Sequence, residues 1–184
     1  RKHRVPFVYV NQTGGNDDLV FDGRSFVVDA MGRLAGRAKA FEEDLLIIDL
    51  DKLLDFIPGD QSSAEEEAWR ALVLGTRDYA RKCGFKQALL GLSGGIDSSV
   101  TAAIATEALG AENVLGVLMP SPYSSNGSIQ DSLELARRLR IQTQTIPIES
   151  VMKSMESALE NAFGGRASDT TEENIQARIR GNLL

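Results

Sequence analysis

The sequence predicts an α/β fold, a parallel sheet with helices on both faces, preceded by a region of short strands and turns. Two observations support this prediction. From about residue 59 onward, short apolar runs alternate with longer segments of helical periodicity, the order expected for parallel strands joined by crossover helices. These runs also lack the apolar–polar alternation of a strand with one wet face, so both faces of the sheet should be covered.

The composition indicates an ordinary globular chain. Of the 184 residues, 42% are apolar and 25% are charged, and no apolar run approaches the roughly 20 residues that span a bilayer. The net charge of −6 argues against a broad nucleic-acid surface. The basic start, Arg-Lys-His-Arg, is not followed by an apolar signal core. We therefore expect a cytoplasmic protein that binds neither membrane nor nucleic acid.

The first region is predicted to contain strands joined by turns. β-Branched and aromatic residues predict strands at residues 5–10 and 25–29, and Thr-Gly-Gly-Asn at 13–16 is typical of a turn. Residues 43–50 carry aliphatic side chains almost without interruption and predict a covered strand.

A polar connector separates the two regions. Residues 58–63 read Pro-Gly-Asp-Gln-Ser-Ser and are followed by three consecutive glutamates. Either Ser62 with Glu65 or Ser63 with Glu66 can form a capping box at the start of a helix. We place the domain boundary here, which predicts domains at residues 1–58 and 59–184.

Helices and strands alternate beyond the connector. A helix that includes Trp69 and Cys83 comes first, and strands are predicted at residues 88–92, 114–119 and 143–148. Ser128 and Asp131 are expected to cap one of the later helices. The side chains expected to face inward are Ile96, Val100, Ala103, Ile104 and Ala108, then Ile129, Leu133, Ala136 and Leu139, and then Val151, Met152, Met155 and Leu159.

Several isolated candidates are expected to have no binding role. The single cysteine, Cys83, rules out an internal disulfide and is expected to be a small buried helix residue. His3 lies at the terminus and is expected at the surface. Arg137, Arg138 and Arg140 are expected to form a solvated helix face.

The most informative segment joins a predicted strand to a predicted helix. It reads Gly91-Leu92-Ser93-Gly94-Gly95-Ile96-Asp97-Ser98-Ser99. At such a junction free backbone N–H groups and the positive end of the helix dipole face one concavity, and glycines let phosphate oxygens approach the main chain. The Asp97 carboxylate is favourable beside phosphates if Mg²⁺ bridges them. The segment therefore predicts a phosphate cradle, with a ligand-free glycine turn as the alternative.

This segment is neither a Walker A loop, since the lysine is absent, nor a G-x-G-x-x-G fingerprint. It resembles the pyrophosphatase loop of ATP-dependent adenylating amidotransferases, which include NAD, GMP, asparagine and argininosuccinate synthetases. The resemblance implies an adenine nucleotide alpha hydrolase-like (PP-loop) fold and a magnesium ion bound by Asp97. By the same resemblance, ATP is bound by Gly91, Leu92, Ser93, Gly94, Gly95, Ile96, Asp97 and Ser98.

Two further segments are similar to NAD synthetases. They are residues 119–125, Met-Pro-Ser-Pro-Tyr-Ser-Ser, and residues 172–182, which contain Glu-Glu-Asn-Ile-Gln-Ala-Arg-Ile-Arg. Asn174 and Arg178 are four residues apart and share a helical face. The resemblance implies that both bind the substrate deamido-NAD, nicotinic acid adenine dinucleotide. A solvated helix surface is the alternative.

Residues 9–25 resemble the late part of the nitrilase-like glutaminase domain of glutamine-dependent NAD synthetases. This implies that the first region contains the C-terminal strands of an incomplete nitrilase-like α/β sandwich. The family's catalytic Cys, Glu and Lys lie upstream of this segment, so no catalytic residue is expected in this chain, and Cys83 does not match the nucleophile's position. We expect the chain to be the middle part of a longer enzyme and to be inactive alone.

The family reaction activates the carboxylate of deamido-NAD with ATP and forms an acyl-adenylate. Ammonia, supplied by glutamine hydrolysis, then displaces AMP and gives the amide. The resemblance thus implies ATP and Mg²⁺ as cofactors, deamido-NAD with glutamine or ammonia as substrates, and a homo-oligomer. Two alternatives stay open: another amidotransferase of the same group, such as a GMP synthetase, and a non-catalytic nucleotide-binding module.

Overall fold

The chain divides into two units, Arg1–Phe85 and Lys86–Leu184. The computed structural model describes residues 3–53, 56–163 and 170–184, with only the backbone described for residues 160–163 and 170–173. The predicted α/β class, with a parallel sheet and helices on both faces, is confirmed. Among the described helices, none combines the length and apolarity needed to cross a bilayer.

The described part of the first unit contains antiparallel strands. They are β1 (Phe7–Tyr9), β2 (Thr13–Asn16), β3 (Leu19–Asp22), β4 (Phe26–Val28) and β5 (Leu34–Arg37). The order β1-β4-β5 forms one sheet, and β2 pairs with β3 as a hairpin. The strands predicted at residues 5–10 and 25–29 are therefore confirmed as β1 and β4.

The prediction of a turn at residues 13–16 is wrong, because these residues form β2. The chain reverses one step later, where Asp17 has a φ of 51°. The glycines serve close packing: a Cβ on Gly15 would lie 3.3 Å from the Cα of Gly75. Here the glycine marks a close approach between two backbones. The local sequence does not distinguish a glycine of this kind from a glycine in a turn.

The covered strand predicted at residues 43–50 is also absent, because this segment forms no strand pairing in the described structure. The side chains of Leu45 and Ile47 are exposed by 82% and 85%, while Ile48 lies against Gly36 of β5. Leu46 and Ile48 lie against Gly36 while Leu45 and Ile47 face solvent, so the continuous apolar run does not indicate a strand covered on both faces.

Helix α1 (Ala64–Cys83) packs against the β2–β3 hairpin. Its N-cap is Ser63, whose Oγ accepts a hydrogen bond from the Glu66 amide at 3.2 Å, so the second of the two predicted caps is present. Cys83, expected to be buried, is exposed because it occupies the last helical turn before the left-handed Gly84.

The two units divide after α1 because this helix packs with the first-unit strands. The sequence placed the domain boundary before the helix, at residues 58–59. The predicted boundary separates two family resemblances, whereas the division into units reflects packing. The predicted boundary therefore stays a prediction.

The second unit is built on three parallel strands. They are β6 (Ala88–Gly91), β7 (Val114–Leu118) and β8 (Gln142–Thr145), in the order β6-β7-β8. The helices are α2 (Ile96–Leu109), α3 (Asn126–Leu139), α4 (Glu149–Phe163) and α5 (Thr170–Leu183). All three strands and their order along the chain were predicted.

Alternate residues of β7 face two apolar cores. Val114 and Leu118 pack with α2 and α3, and Val117 packs with α4 and α5. Because successive side chains of a strand point to opposite faces, these two cores lie on opposite sides of the sheet.

The inward faces of α2 and α3 were only partly predicted. Ile96 and Val100 are exposed, and Ala102, Ala105 and Ala108 form the buried face of α2. Leu133 is likewise exposed, while Ala136 is buried. Small side chains form the contact between these helices and the sheet. Helical spacing in the sequence does not specify how far a helix lies from the sheet.

Helix α3 begins at Ser125 rather than at the predicted Ser128: the Ser125 Oγ accepts a hydrogen bond from the Ser128 amide at 3.1 Å. At the other end, Arg137 and Arg138 are exposed as expected and donate to Glu134 at 2.8 Å. These donors lower the pKa of Glu134 to about 2.

Candidate functional site

The glycine loop leaves the carboxyl end of β6 and enters α2. The Leu92 amide donates to the Val117 carbonyl at 2.8 Å, which extends the parallel pairing by one residue and anchors the loop. Gly94 follows with a φ of 79°, in the left-handed region that favours glycine. A Cβ at Gly94 would lie 2.5 Å from the Ser128 carbonyl oxygen, so the loop passes directly against the first turn of α3.

Hydroxyl groups hold the loop in shape. The Ser93 and Ser98 hydroxyls lie 3.0 Å apart, and the Gly95 amide donates to the Ser93 Oγ at 3.3 Å. Ser98 and Ser99 each donate to the Gly95 carbonyl, at 3.0 and 2.8 Å. These bonds connect the start of the loop with the first turn of α2.

The start of α2 has the properties of an anion site. Gly95 is the N-cap residue, and among the described residues no side chain caps this helix start. The first N–H groups of the helix and its dipole are therefore available to a negatively charged ligand.

Asp97 lies in the first turn of α2 with an exposed side chain. The described residues contain no group of three or more acidic, histidine or cysteine side chains that could hold a metal alone. Mg²⁺ in nucleotide sites is commonly held by one or two carboxylates together with phosphate oxygens and water. A single carboxylate beside a phosphate cradle fits that pattern.

A cavity of about 530 Å³ lies beside the loop at the carboxyl edge of the sheet. Its walls come from the ends of β6 and β7, the start of α3 and the end of α5. It is lined by Gly91, Leu92, Ser93, Leu118, Met119, Pro120, Tyr123, Ser124, Ser125, Ser128, Ile129, Ser132, Arg180 and Leu184. In open parallel sheets this edge is where ligands bind, because loops from neighbouring strands meet there.

A family model described as NAD synthase matches residues 68–184, which is more than half of the chain. The chain belongs to the NAD synthase family. A second model, described as carbon-nitrogen hydrolase, matches residues 2–57. Both matches agree with the two resemblances found in the sequence.

Individual relatives of the NAD synthase family extend this result. The chain is 54% identical to a glutamine-dependent NAD(+) synthetase of Synechocystis sp., with 100% of this chain and 34% of the relative covered. The chain thus spans about a third of the length of the curated relatives it matches.

Solved structures are also similar. A glutamine-dependent NAD+ synthetase from Acinetobacter baumannii, in complex with ADP, has a TM-score of 0.91 at 44% identity, with 99% of this chain and 35% of that chain covered. An NMN synthetase from Francisella tularensis has a TM-score of 0.60 at 28% identity, with 67% and 49% covered.

The structure brings only part of the predicted site together at the cavity. Gly91, Leu92 and Ser93 line it, while Asp97 lies at the adjoining helix start. The predicted substrate residues of the NAD synthase helix, Asn174 and Arg178, are exposed on α5 and are not among the described lining residues. The spacing of Thr170 and Glu173 predicts a capping box at the start of this helix, and these two residues lie outside the described side chains.

Sequence reasoning recognised residues 119–125 and 172–182 as similar to NAD synthetases but assigned no role to Arg180 or to the serines after β7. Arg180 and the serines of residues 121–128 line the cavity or support it, but no motif assigned them a role. One signal was available. Ile175 and Ile179 are spaced four apart and are buried, so the neighbouring pair Gln176 and Arg180 had to lie at the edge of the buried face.

Proposed function

We propose that these residues supply the nucleotide-binding part of a glutamine-dependent NAD synthetase. The observation that carries this proposal is the uncapped, glycine-rich start of α2 beside a cavity at the carboxyl edge of a parallel sheet. The names of the similar proteins, and the ADP complex of one of them, support it.

In this reaction a carboxylate oxygen of deamido-NAD attacks the α-phosphorus of ATP. A new O–P bond forms, the bond to the bridging oxygen of the β-phosphate breaks, and pyrophosphate leaves. Ammonia then attacks the acyl carbon and loses a proton, and AMP leaves to give the amide of NAD. The protein's contribution is mainly positioning and stabilisation of charge, which a site of N–H groups and hydroxyls can supply.

The loop residues take distinct parts in this scheme. The backbone from Gly91 to Ser98 receives the phosphates, with the Ser93 and Ser98 hydroxyls as additional donors. Asp97 would hold Mg²⁺, which supplies positive charge to the phosphates when bound. The neighbouring cavity offers apolar and hydroxyl surface for adenosine.

The remaining assignments follow the family resemblance. Asn174 and Arg178, exposed on one face of α5, contact deamido-NAD, and ammonia comes from glutamine hydrolysed by the nitrilase-like domain. Residues 1–58 belong to that domain and residues 59–184 to the synthetase domain. The enzyme is cytoplasmic and homo-oligomeric.

Asp97→Ala tests the proposal in the whole protein, the polypeptide that carries these residues in the cell. Synthesis of NAD should be lost with ammonia as well as with glutamine, because the metal and phosphate site serves both nitrogen sources. NAD formation at saturating Mg²⁺ and ATP is the measurement. Asp131→Ala, which removes an exposed carboxylate from α3 outside the cavity, is the matched control.

Two outcomes would contradict this assignment. Normal ammonia-dependent synthesis by the Asp97→Ala variant would remove Asp97 from the metal role. Failure of the unmodified protein to convert deamido-NAD with ATP would reject the proposed reaction. In the same assay, Arg178→Ala should raise the apparent KM for deamido-NAD and leave that for ATP unchanged.

A further inference from the structure

Arg180 is the one charged side chain among the described residues that line the cavity. The other lining residues are glycine, serines, tyrosine, proline and aliphatic or thioether side chains. A positive charge in such a wall attracts an anion more strongly than in bulk water, because the surroundings have a lower dielectric constant. The cavity is therefore suited to a ligand that is partly neutral and partly anionic.

Two hydrogen bonds hold the guanidinium group without neutralising it. Its Nε donates to the Met119 carbonyl at 3.2 Å, and its Nη2 donates to the side-chain oxygen of Gln176 at 3.4 Å. Gln176 is itself buried. Both acceptors are neutral oxygens. The guanidinium group is therefore fixed at the end of β7, and no carboxylate of the described residues compensates its charge.

Arg24 in the first unit shows the contrasting arrangement. Its guanidinium contacts the carboxylates of Asp22, Asp60 and Glu67 at 2.8 to 3.1 Å. Such an arginine holds the protein together, because its charge is already compensated. Arg180, fixed by neutral oxygens at the wall of a cavity, is instead arranged to meet an anion that the protein does not supply.

We propose that Arg180 binds the α-phosphate of ATP, the phosphate that stays with AMP in the acyl-adenylate. This inference rests on the proposed function. The start of α2 supplies N–H groups for the two phosphates that leave, and the cavity supplies surface for adenosine. The α-phosphate joins these two parts of the nucleotide, and Ser93 of the loop lines the same cavity as Arg180.

The test compares the binding of AMP and adenosine to the whole protein by isothermal titration calorimetry. The unmodified protein should bind AMP more tightly than adenosine. Arg180→Gln should weaken AMP about tenfold to hundredfold, the size of a charge-assisted hydrogen bond, and leave adenosine within about twofold. Arg180→Lys keeps the positive charge but loses the fixed guanidinium fork, so it should restore only part of the AMP affinity.

Three results would overturn the inference. Equal loss of AMP and adenosine affinity in Arg180→Gln would show that Arg180 only shapes the cavity. Unchanged AMP affinity would remove it from phosphate binding. The same loss in Arg138→Gln, which removes an exposed guanidinium from α3, would indicate a general charge effect.

Failure of the inference is distinguishable from failure of the proposed function. If the unmodified protein binds neither AMP nor adenosine, the nucleotide site itself is rejected, and the role of Arg180 is rejected with it. If the unmodified protein binds AMP, the site stands, and the variants decide the role of Arg180.

Discussion

Gly94 determines the path of the glycine loop through its backbone conformation. Its φ of 79° is one that side chains with a Cβ rarely adopt, and a Cβ would also collide with the backbone of Ser128. Gly95, the next residue, has a φ of −89°, and the nearest atom to its Cβ would be the Ser93 Oγ at 3.4 Å. The two glycines therefore have different physical roles although the sequence presents them as a pair.

We predict that Gly94→Ala destabilises the protein and Gly95→Ala hardly does. Left-handed strain costs about 1 to 3 kcal/mol, and the collision with Ser128 adds to it. Gly95→Ala should cost less than about 1 kcal/mol, since only the N-cap preference changes. Thermal unfolding of both variants is the measurement, and equal melting temperatures would contradict the assigned roles.

Asp29 in the first unit gives a prediction for pH dependence. Its carboxylate accepts hydrogen bonds from the Arg33 amide at 2.7 Å, the Arg33 Nε at 2.9 Å and the Met31 amide at 2.9 Å. The Arg33 amide makes the largest contribution, and together these donors hold the pKa of Asp29 below its ordinary value. The ionised carboxylate is thus more favourable in the folded state than in the unfolded state.

The stabilisation by Asp29 should be present above its unfolded pKa of about 4 and be lost as pH falls through the lower folded value. Asp29→Asn should therefore lower the melting temperature most near neutral pH, with a difference that shrinks in acid. Melting curves of both proteins between neutral and acidic pH test this. A difference that stays constant with pH would mean that the ionised form is not what stabilises the turn.

At the scale of elements, helix α1 is attached to the β2–β3 hairpin by polar contacts as well as by close packing. The Oδ2 of buried Asp78 accepts from the Gly15 amide at 2.9 Å, and Lys82 donates to the Gly15 carbonyl. Near the start of the helix, Glu67 contacts Arg24 of the strand region at 2.8 Å. A helix matched mostly by the NAD synthase model thus packs on strands matched by the hydrolase model.

Asp78→Ala should destabilise this attachment by about 1 to 3 kcal/mol, because the Gly15 amide would be left without its acceptor. Faster hydrogen exchange of β2 amides and a lower melting temperature are the expected observations. Asp18→Ala, at the exposed hairpin turn, should change stability by less than about 0.5 kcal/mol. Equal effects of the two substitutions would show that the Asp78 contact contributes little.

At the scale of the whole molecule, Cys83 bears on the glutamine hydrolysis proposed for the whole protein. It is the single cysteine of the 184 residues, and it lies exposed at the end of α1. Cys83 lies outside residues 2–57, which the carbon-nitrogen hydrolase model matches, so its position does not fit that of the family's nucleophile.

We therefore predict that the 184-residue chain alone releases no glutamate from glutamine. A coupled glutamate assay, with the whole protein as positive control, is the measurement. Glutamate release by the 184-residue chain that Cys83→Ser abolishes would contradict this prediction. A circular dichroism spectrum with helix and strand content would show that the chain assayed is folded.

In the second unit, the order of helices and strands, the parallel sheet and the glycine loop between a strand and a helix follow from the sequence. Each depends on neighbouring residues: apolar runs specify β6 and β7, Ser63 caps α1, and glycines mark the loop between β6 and α2. Such signals are short-ranged, because backbone conformation and capping involve residues only a few positions apart. The family resemblances were found in the same local segments.

Packing between distant segments determined the rest. Gly15 lies in a strand rather than a turn because α1 approaches it, and residues 43–50 form no strand in the described structure. Arg180 rather than Arg178 lines the cavity because burial of Ile175 and Ile179 against the sheet sets the rotation of α5 about its axis. A helix sequence determines which residues share a face, but contacts with the sheet determine which face lines the cavity.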